Sequence, residues 1–144
     1  MILTELFNEP YKWGWNPGAS EERVTGGFRT DDNSTVSVDF ELAGRQDESG
    51  RAYYMFSFAR NGSMETTGEG DAFKIFATVA QMIEEFVKDY RPDVITFTAN
   101  DGEPARKSLF KRMLPKLARK LGLRYQITGN VFHLINDSGD GNSI

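Results

Sequence analysis

Val36, Val38 and Phe40 alternate strictly with Ser37 and Asp39, the period-two pattern of a strand with one buried face. From Ala52 to Ala59 the alternation changes character. Tyr54, Phe56 and Phe58 interleave with Tyr53, Met55 and Ser57, so both faces are fairly apolar, as in a central strand. The charged stretch Gly44 to Gly50 between these two strands reads as a hairpin loop. Asn61-Gly62 signals a further hairpin turn, with Ser63 to Thr67 as a short return strand. The period then lengthens. Phe76, Val79, Ala80, Ile83, Phe86, Val87 and Tyr90 recur at three- and four-residue spacings, which predicts an amphipathic helix from Asp71 to Tyr90, closed by Pro92. Val94 to Thr98 follows as a short apolar strand, and a strand regained after such a helix predicts parallel pairing. A second helix is expected from Pro104 to Leu121, with Gly122 as its stop and a kink at Pro115. Its apolar stripe is Leu109, Phe110, Met113, Leu114, Leu117 and Leu121. Arg124 to Ile135 alternates again and breaks at Gly129-Asn130, a closing hairpin.

Ahead of this body, Leu3, Leu6 and Phe7 suit one helical turn limited by Pro10, after which Tyr11, Trp13 and Trp15 alternate as a strand does. Asn16-Pro17-Gly18 is a turn. The chain thus divides into an N-terminal docking segment (1–15), a folded domain (16–136) and a flexible tail (137–144) of Gly, Asp, Asn and Ser. The expected fold class is α+β, a mixed and mostly antiparallel sheet with two main helices. Leu6, Phe7, Trp13 and Trp15 either cap one end of the sheet or project as a partner-binding arm. The twelve residues that follow offer no evident strand partner, so the arm is the expectation.

Composition narrows the function by exclusion. A chain of 144 residues with 39% hydrophobic content buries one real core. It contains no cysteine, which rules out disulfides, thiolate metal sites and thiol nucleophiles. No apolar run approaches the roughly 18 residues of a membrane span. The first residues carry no basic region, so no secretory signal is expected. One histidine makes a transition-metal site a poor fit.

The net charge of −4 hides an asymmetry: residues 1–104 hold 9 basic and 19 acidic side chains, a balance of −10, and residues 105–144 hold 8 and 2, a balance of +6. The surplus lies on the second helix, where Arg106, Lys107, Lys111, Arg112, Lys116, Arg119 and Lys120 fall on the outer faces. Such a helix packs its apolar side on the acidic body and wets the rest, or meets phosphates or an acidic partner. The acidic body and the lack of an aromatic stacking platform argue against nucleic acid.

The turn Glu65-Thr66-Thr67-Gly68-Glu69-Gly70-Asp71 stands between an apolar strand and a helix N-terminus. The first N–H groups of a helix lack partners and its dipole favours negative charge there, so the place suits an anion. Gly68, Glu69, Gly70, Asp71 and Ala72 are the candidate cofactor-binding residues. A plain tight connection that glycine makes easily is the other reading.

This turn and the element order, over about residues 34–135, resemble the GNAT acyltransferase superfamily. The resemblance implies acetyl-CoA as cofactor, with its pyrophosphate on the backbone N–H groups of the turn, and N-acyl transfer to an amine. Two positions depart from that pattern. The family's turn opens with Gln or Arg, whereas Glu65 stands here, and Glu69 sets a carboxylate beside the pyrophosphate. At ~4 Å that repulsion is about 1 kcal/mol in water and several near a protein surface. The family's Leu-Tyr pair on the last helix, whose tyrosine protonates the leaving thiolate, corresponds here to Leu109-Phe110, and a phenyl ring has no proton to give.

Tyr125 and His133, on the following strands, are the remaining candidates for a catalytic acid, although His133 in an apolar strand equally suits a packed side chain. The whole chain is also similar to small proteins of tailed bacteriophages, through Leu3 to Pro10, Thr67 to Val79 and Leu109 to Arg112. That likeness implies a virion or host protein as partner, and the host cytoplasm or the virion as location. The expectation is therefore a catalytically degenerate GNAT-like phage protein that acts by binding and requires no cofactor. An acyl-CoA-dependent N-acyltransferase is the alternative.

Overall fold

The computed structural model describes residues 10–31, 33–46, 51–60, 72–99 and 104–136. Strands β1 (Trp13–Trp15), β2 (Arg23–Arg29), β3 (Thr35–Gln46), β4 (Arg51–Arg60), β5 (Val94–Thr98), β6 (Arg124–Thr128) and β7 (Val131–Ile135) form one sheet, in the order β1-β2-β3-β4-β5-β7-β6. Helix α1 (Ala72–Tyr90) lies between β4 and β5, and α2 (Pro104–Leu121) between β5 and β6. β4 and β5 pair in parallel, and the other neighbours are antiparallel. The α+β class, the mixed and mostly antiparallel sheet and the two helices are as the pattern predicts. The return strand expected over 63–67 lies outside the described residues.

Strand alternation decides which side the helices cover. Val36, Val38 and Phe40 of β3, Tyr54, Phe56 and Phe58 of β4, and Ile95 and Phe97 of β5 are buried on one face. Val79, Met82, Ile83 and Phe86 of α1 and Phe110, Met113 and Leu114 of α2 are buried with them, so the apolar stripes of both helices meet this face. Rings do much of the filling. Phe40 stacks on Phe86 at 4.0 Å between centroids, and Phe86 in turn meets Tyr54 edge-on at 4.9 Å. The other face, with Ser37, Glu41, Met55, Ser57 and Thr98, is open.

The structure extends the strand content in two places. β2 spans Arg23–Arg29, although Gly26-Gly27 interrupts any apolar alternation there. Glycine is needed because the neighbouring strand comes close. A Cβ on Gly26 would stand 2.5 Å from the Gly14 carbonyl oxygen and 2.8 Å from the Trp15 ring. β3 runs on through Gly44, Arg45 and Gln46, so these are strand residues and not loop. A register shift between Leu42 and Gly44 takes up the extra residue and lets Gly44 face Tyr53.

β1 ties residues 10–15 to the body. Trp13 pairs with Phe28 and Trp15 with Gly26, Tyr11 is buried against Phe28 at 5.7 Å, and the Tyr11 amide donates to Thr78 Oγ1 of α1 at 2.8 Å. Trp13 Nε1 donates to Gln81 at 2.7 Å. Leu6 and Phe7 lie outside the described residues. At the far end, Asp93 clamps three strands: its carboxylate accepts from the Ala52 amide, its amide donates to Ala52, and its carbonyl accepts from Asn136.

Candidate functional site

Parallel strands present their C-terminal ends on one side, and in open α/β sheets that edge is where ligands bind. Here the parallel pair is short, joining Tyr53 to Phe56 with Val94 to Phe97. β4 continues past it to Arg60. Both helices follow the C-terminal end of one of these strands, so the N-termini of α1 and α2 lie toward the same edge.

Two arginines stand at this edge, and both are buried. Arg60 ends β4 on the helix-covered face, at 9% exposure. Arg106, in the first turn of α2, is 2% exposed. Its Nη1 donates to the Phe58 carbonyl at 3.0 Å, and its guanidinium lies over the Phe58 ring at 4.2 Å. Helical spacing placed Arg106 on the outer face with the other basic residues. The structure turns it inward because, in the first turn, it can reach the carbonyl of the strand end. The only hint in the sequence is its position two residues after Pro104, the first helical residue.

Gly68, Glu69, Gly70 and Asp71 lie outside the described residues. Ala72 is placed as the first residue of α1. Phe110, which occupies the place of the resemblance's tyrosine, is 1% exposed. Its ring contacts Phe97 at 5.4 Å, Phe132 at 5.6 Å, Phe58 at 6.2 Å and Phe56 at 6.5 Å. It fills the core between α2 and the sheet.

Tyr125 and His133 are not brought together. Tyr125 pairs with Leu134 and Gln126 with His133, so alternation puts the tyrosine on the helix side of the sheet and the histidine on the open side. His133 is half-buried, with Nδ1 3.1 Å from Thr96 Oγ1 on the paired strand. Tyr125 is 43% exposed on the edge strand.

The remaining basic residues of α2 behave as the charge asymmetry suggests. Lys111, Arg112, Lys116, Arg119 and Lys120 are exposed, and Lys120 reaches Glu84 of α1 at 3.4 Å. A groove of about 340 Å³ runs between the helices, floored by Phe76, Ala80 and Leu117 and rimmed by Glu84, Lys116 and Lys120, with Pro10 at its side. Among the described residues, no cluster of His, Asp and Glu suits a metal ion, and no helix is long and apolar enough to cross a membrane.

These features define a two-layer α+β domain with one parallel strand pair among the described residues. The chain belongs to a family of unknown function (DUF6934), whose profile matches residues 37–138, from within β3 to just beyond β7. No curated protein matches the chain.

Proposed function

We propose that the chain is a GNAT-like domain that has lost transferase chemistry and acts by binding a protein partner. The observation that carries the reading is Phe110, at 1% exposure within a ring of four phenylalanines. The resemblance puts a proton donor there. A buried phenyl ring has no proton to donate and leaves no path for a thioester to reach it. The element order, antiparallel strands followed by helix, strand, helix and a closing hairpin, supports the GNAT likeness. Arg106 adds to the loss by covering the Phe58 carbonyl at the edge where a ligand would approach. The bacteriophage likeness suggests a virion or host protein as the partner.

The second reading, an acyl-CoA-dependent N-acyltransferase, is favoured by the two buried guanidinium groups of Arg60 and Arg106 at that edge. They supply positive charge at the strand edge toward which both helix N-termini lie, the kind of place a pyrophosphate takes. Titration calorimetry with acetyl-CoA divides the two readings. No heat at millimolar ligand, with no acetyl transfer to a panel of amines, is the expected result. Robust acetyl transfer by the unmodified chain would refute the degenerate reading.

A further inference from the structure

β6 is an edge strand whose five residues are all exposed. Of the three large hydrophobic side chains exposed among the described residues, two are its Tyr125 and Ile127, at 43% and 39%. Both lie on the helix side of the sheet, since they pair with the buried Leu134 and Phe132.

The hairpin fixes where their backbone groups point. Thr128 and Val131 flank the two-residue turn Gly129-Asn130, in which Gly129 has φ +61°, the signature of a II′ hairpin. The flanking pair of such a turn exchanges hydrogen bonds, and bonded pairs then alternate along the ladder. Thr128, Gln126 and Arg124 therefore bond to β7. Tyr125 and Ile127 direct their N–H and C=O groups outward, away from the sheet. The same two residues thus offer both ladder groups with no strand beside them among the described residues and exposed apolar side chains, the combination that invites another strand.

We propose that β6 pairs antiparallel with β6 of a second copy of this chain, joining two sheets into one across a two-fold axis. The sequence of the strand is self-complementary about Gln126. In that register Tyr125 faces Ile127 of the copy as a hydrogen-bonded, apolar pair, twice over. Gln126 faces its own mate, and Arg124, the strand's sole charge, faces Thr128 rather than another arginine. The opposite edge offers no such match, because β1 is three residues long and its tryptophans are half-buried in their own chain. Each copy carries a net charge of −4, and salt screens the repulsion between like-charged copies, so association should strengthen as salt rises. This interface is independent of the acetyl-CoA question.

Sedimentation velocity of the full chain over a concentration series, at low and high salt, tests it. The wild-type chain should form a dimer, favoured by salt. Ile127→Lys and Tyr125→Lys each set a cation at the apolar pair and should lose the dimer throughout the series. Met55→Lys, a comparably exposed apolar residue on the open face, should dimerise as the wild type does. Hydrogen exchange at the Tyr125 and Ile127 amides should slow at least tenfold on dimerisation. A wild-type chain that stays monomeric at every concentration and salt, a dimer that a folded Ile127→Lys or Tyr125→Lys chain retains, loss of the dimer in folded Met55→Lys, or unslowed exchange at both amides would each overturn the proposal.

Discussion

At the scale of single residues, environment rather than identity sets what each side chain does. Arg106 carries the same charge as Lys116 and Lys120, yet it is buried on a strand-end carbonyl while they are solvated. Phe110 sits where the resemblance expects a tyrosine, and the structure gives it neighbours that only an apolar ring satisfies. Phe110→Tyr should therefore destabilise the chain by about 1–3 kcal/mol, because the new hydroxyl is buried among four phenyl rings. Urea unfolding should show a lower midpoint at an unchanged slope, with no transferase activity gained. A chain stabilised by this change, or made active by it, would mean that the ring position opens onto a polar site.

Among the elements, α2 is held more by its packing than by its propensity. It continues through Pro115, which supplies no N–H to the helical ladder and crowds the carbonyl one turn earlier. The buried stripe of Phe110, Met113, Leu114, Leu117 and Ala118 holds the helix across that gap. Pro115→Ala should raise stability by about 1–3 kcal/mol, less than the full proline penalty because proline also restricts the unfolded chain. Thermal unfolding followed by circular dichroism checks the sign. A lower melting temperature would instead mean that the proline ring's own packing helps to seat α2 on the sheet. β2 shows the opposite balance: two glycines weaken its intrinsic preference, and the close approach of β1 to Gly26 and of β3 to Gly27 requires them.

At the scale of the whole molecule, residues 10–15 are part of the body. Tyr11 is buried, and Trp13 and Trp15 pair with β2 and touch the core cluster. Deleting residues 1–15 should cost on the order of 3–6 kcal/mol, from the lost burial of three aromatic side chains at about 1.5–3 kcal/mol for each fully buried one. The melting temperature should fall by well over a few degrees. An unchanged melting temperature would show that this segment is an accessory to a domain that folds without it.

Local periodicity determined much of the architecture. The alternation around Val36 to Phe40, the three-to-four spacing from Phe76 to Tyr90, the stripe of α2 and the break at Gly129-Asn130 each carry their own evidence, because burial of one face repeats along the chain. Parallel pairing of β4 and β5 was legible from the helix between them. What sequence could not supply is contact between segments far apart in the chain. β2 becomes a strand because β1 and β3 accept it on either side, and Arg106 is buried because the Phe58 carbonyl, 48 residues earlier, waits for a donor. Tyr125 and His133 fall on opposite faces because a two-residue turn fixes their register, which a list of candidate side chains does not reveal. Periodicity is a property of neighbours in sequence. Satisfied polar groups and close backbone approach are properties of neighbours in space, and only the tertiary structure brings those together.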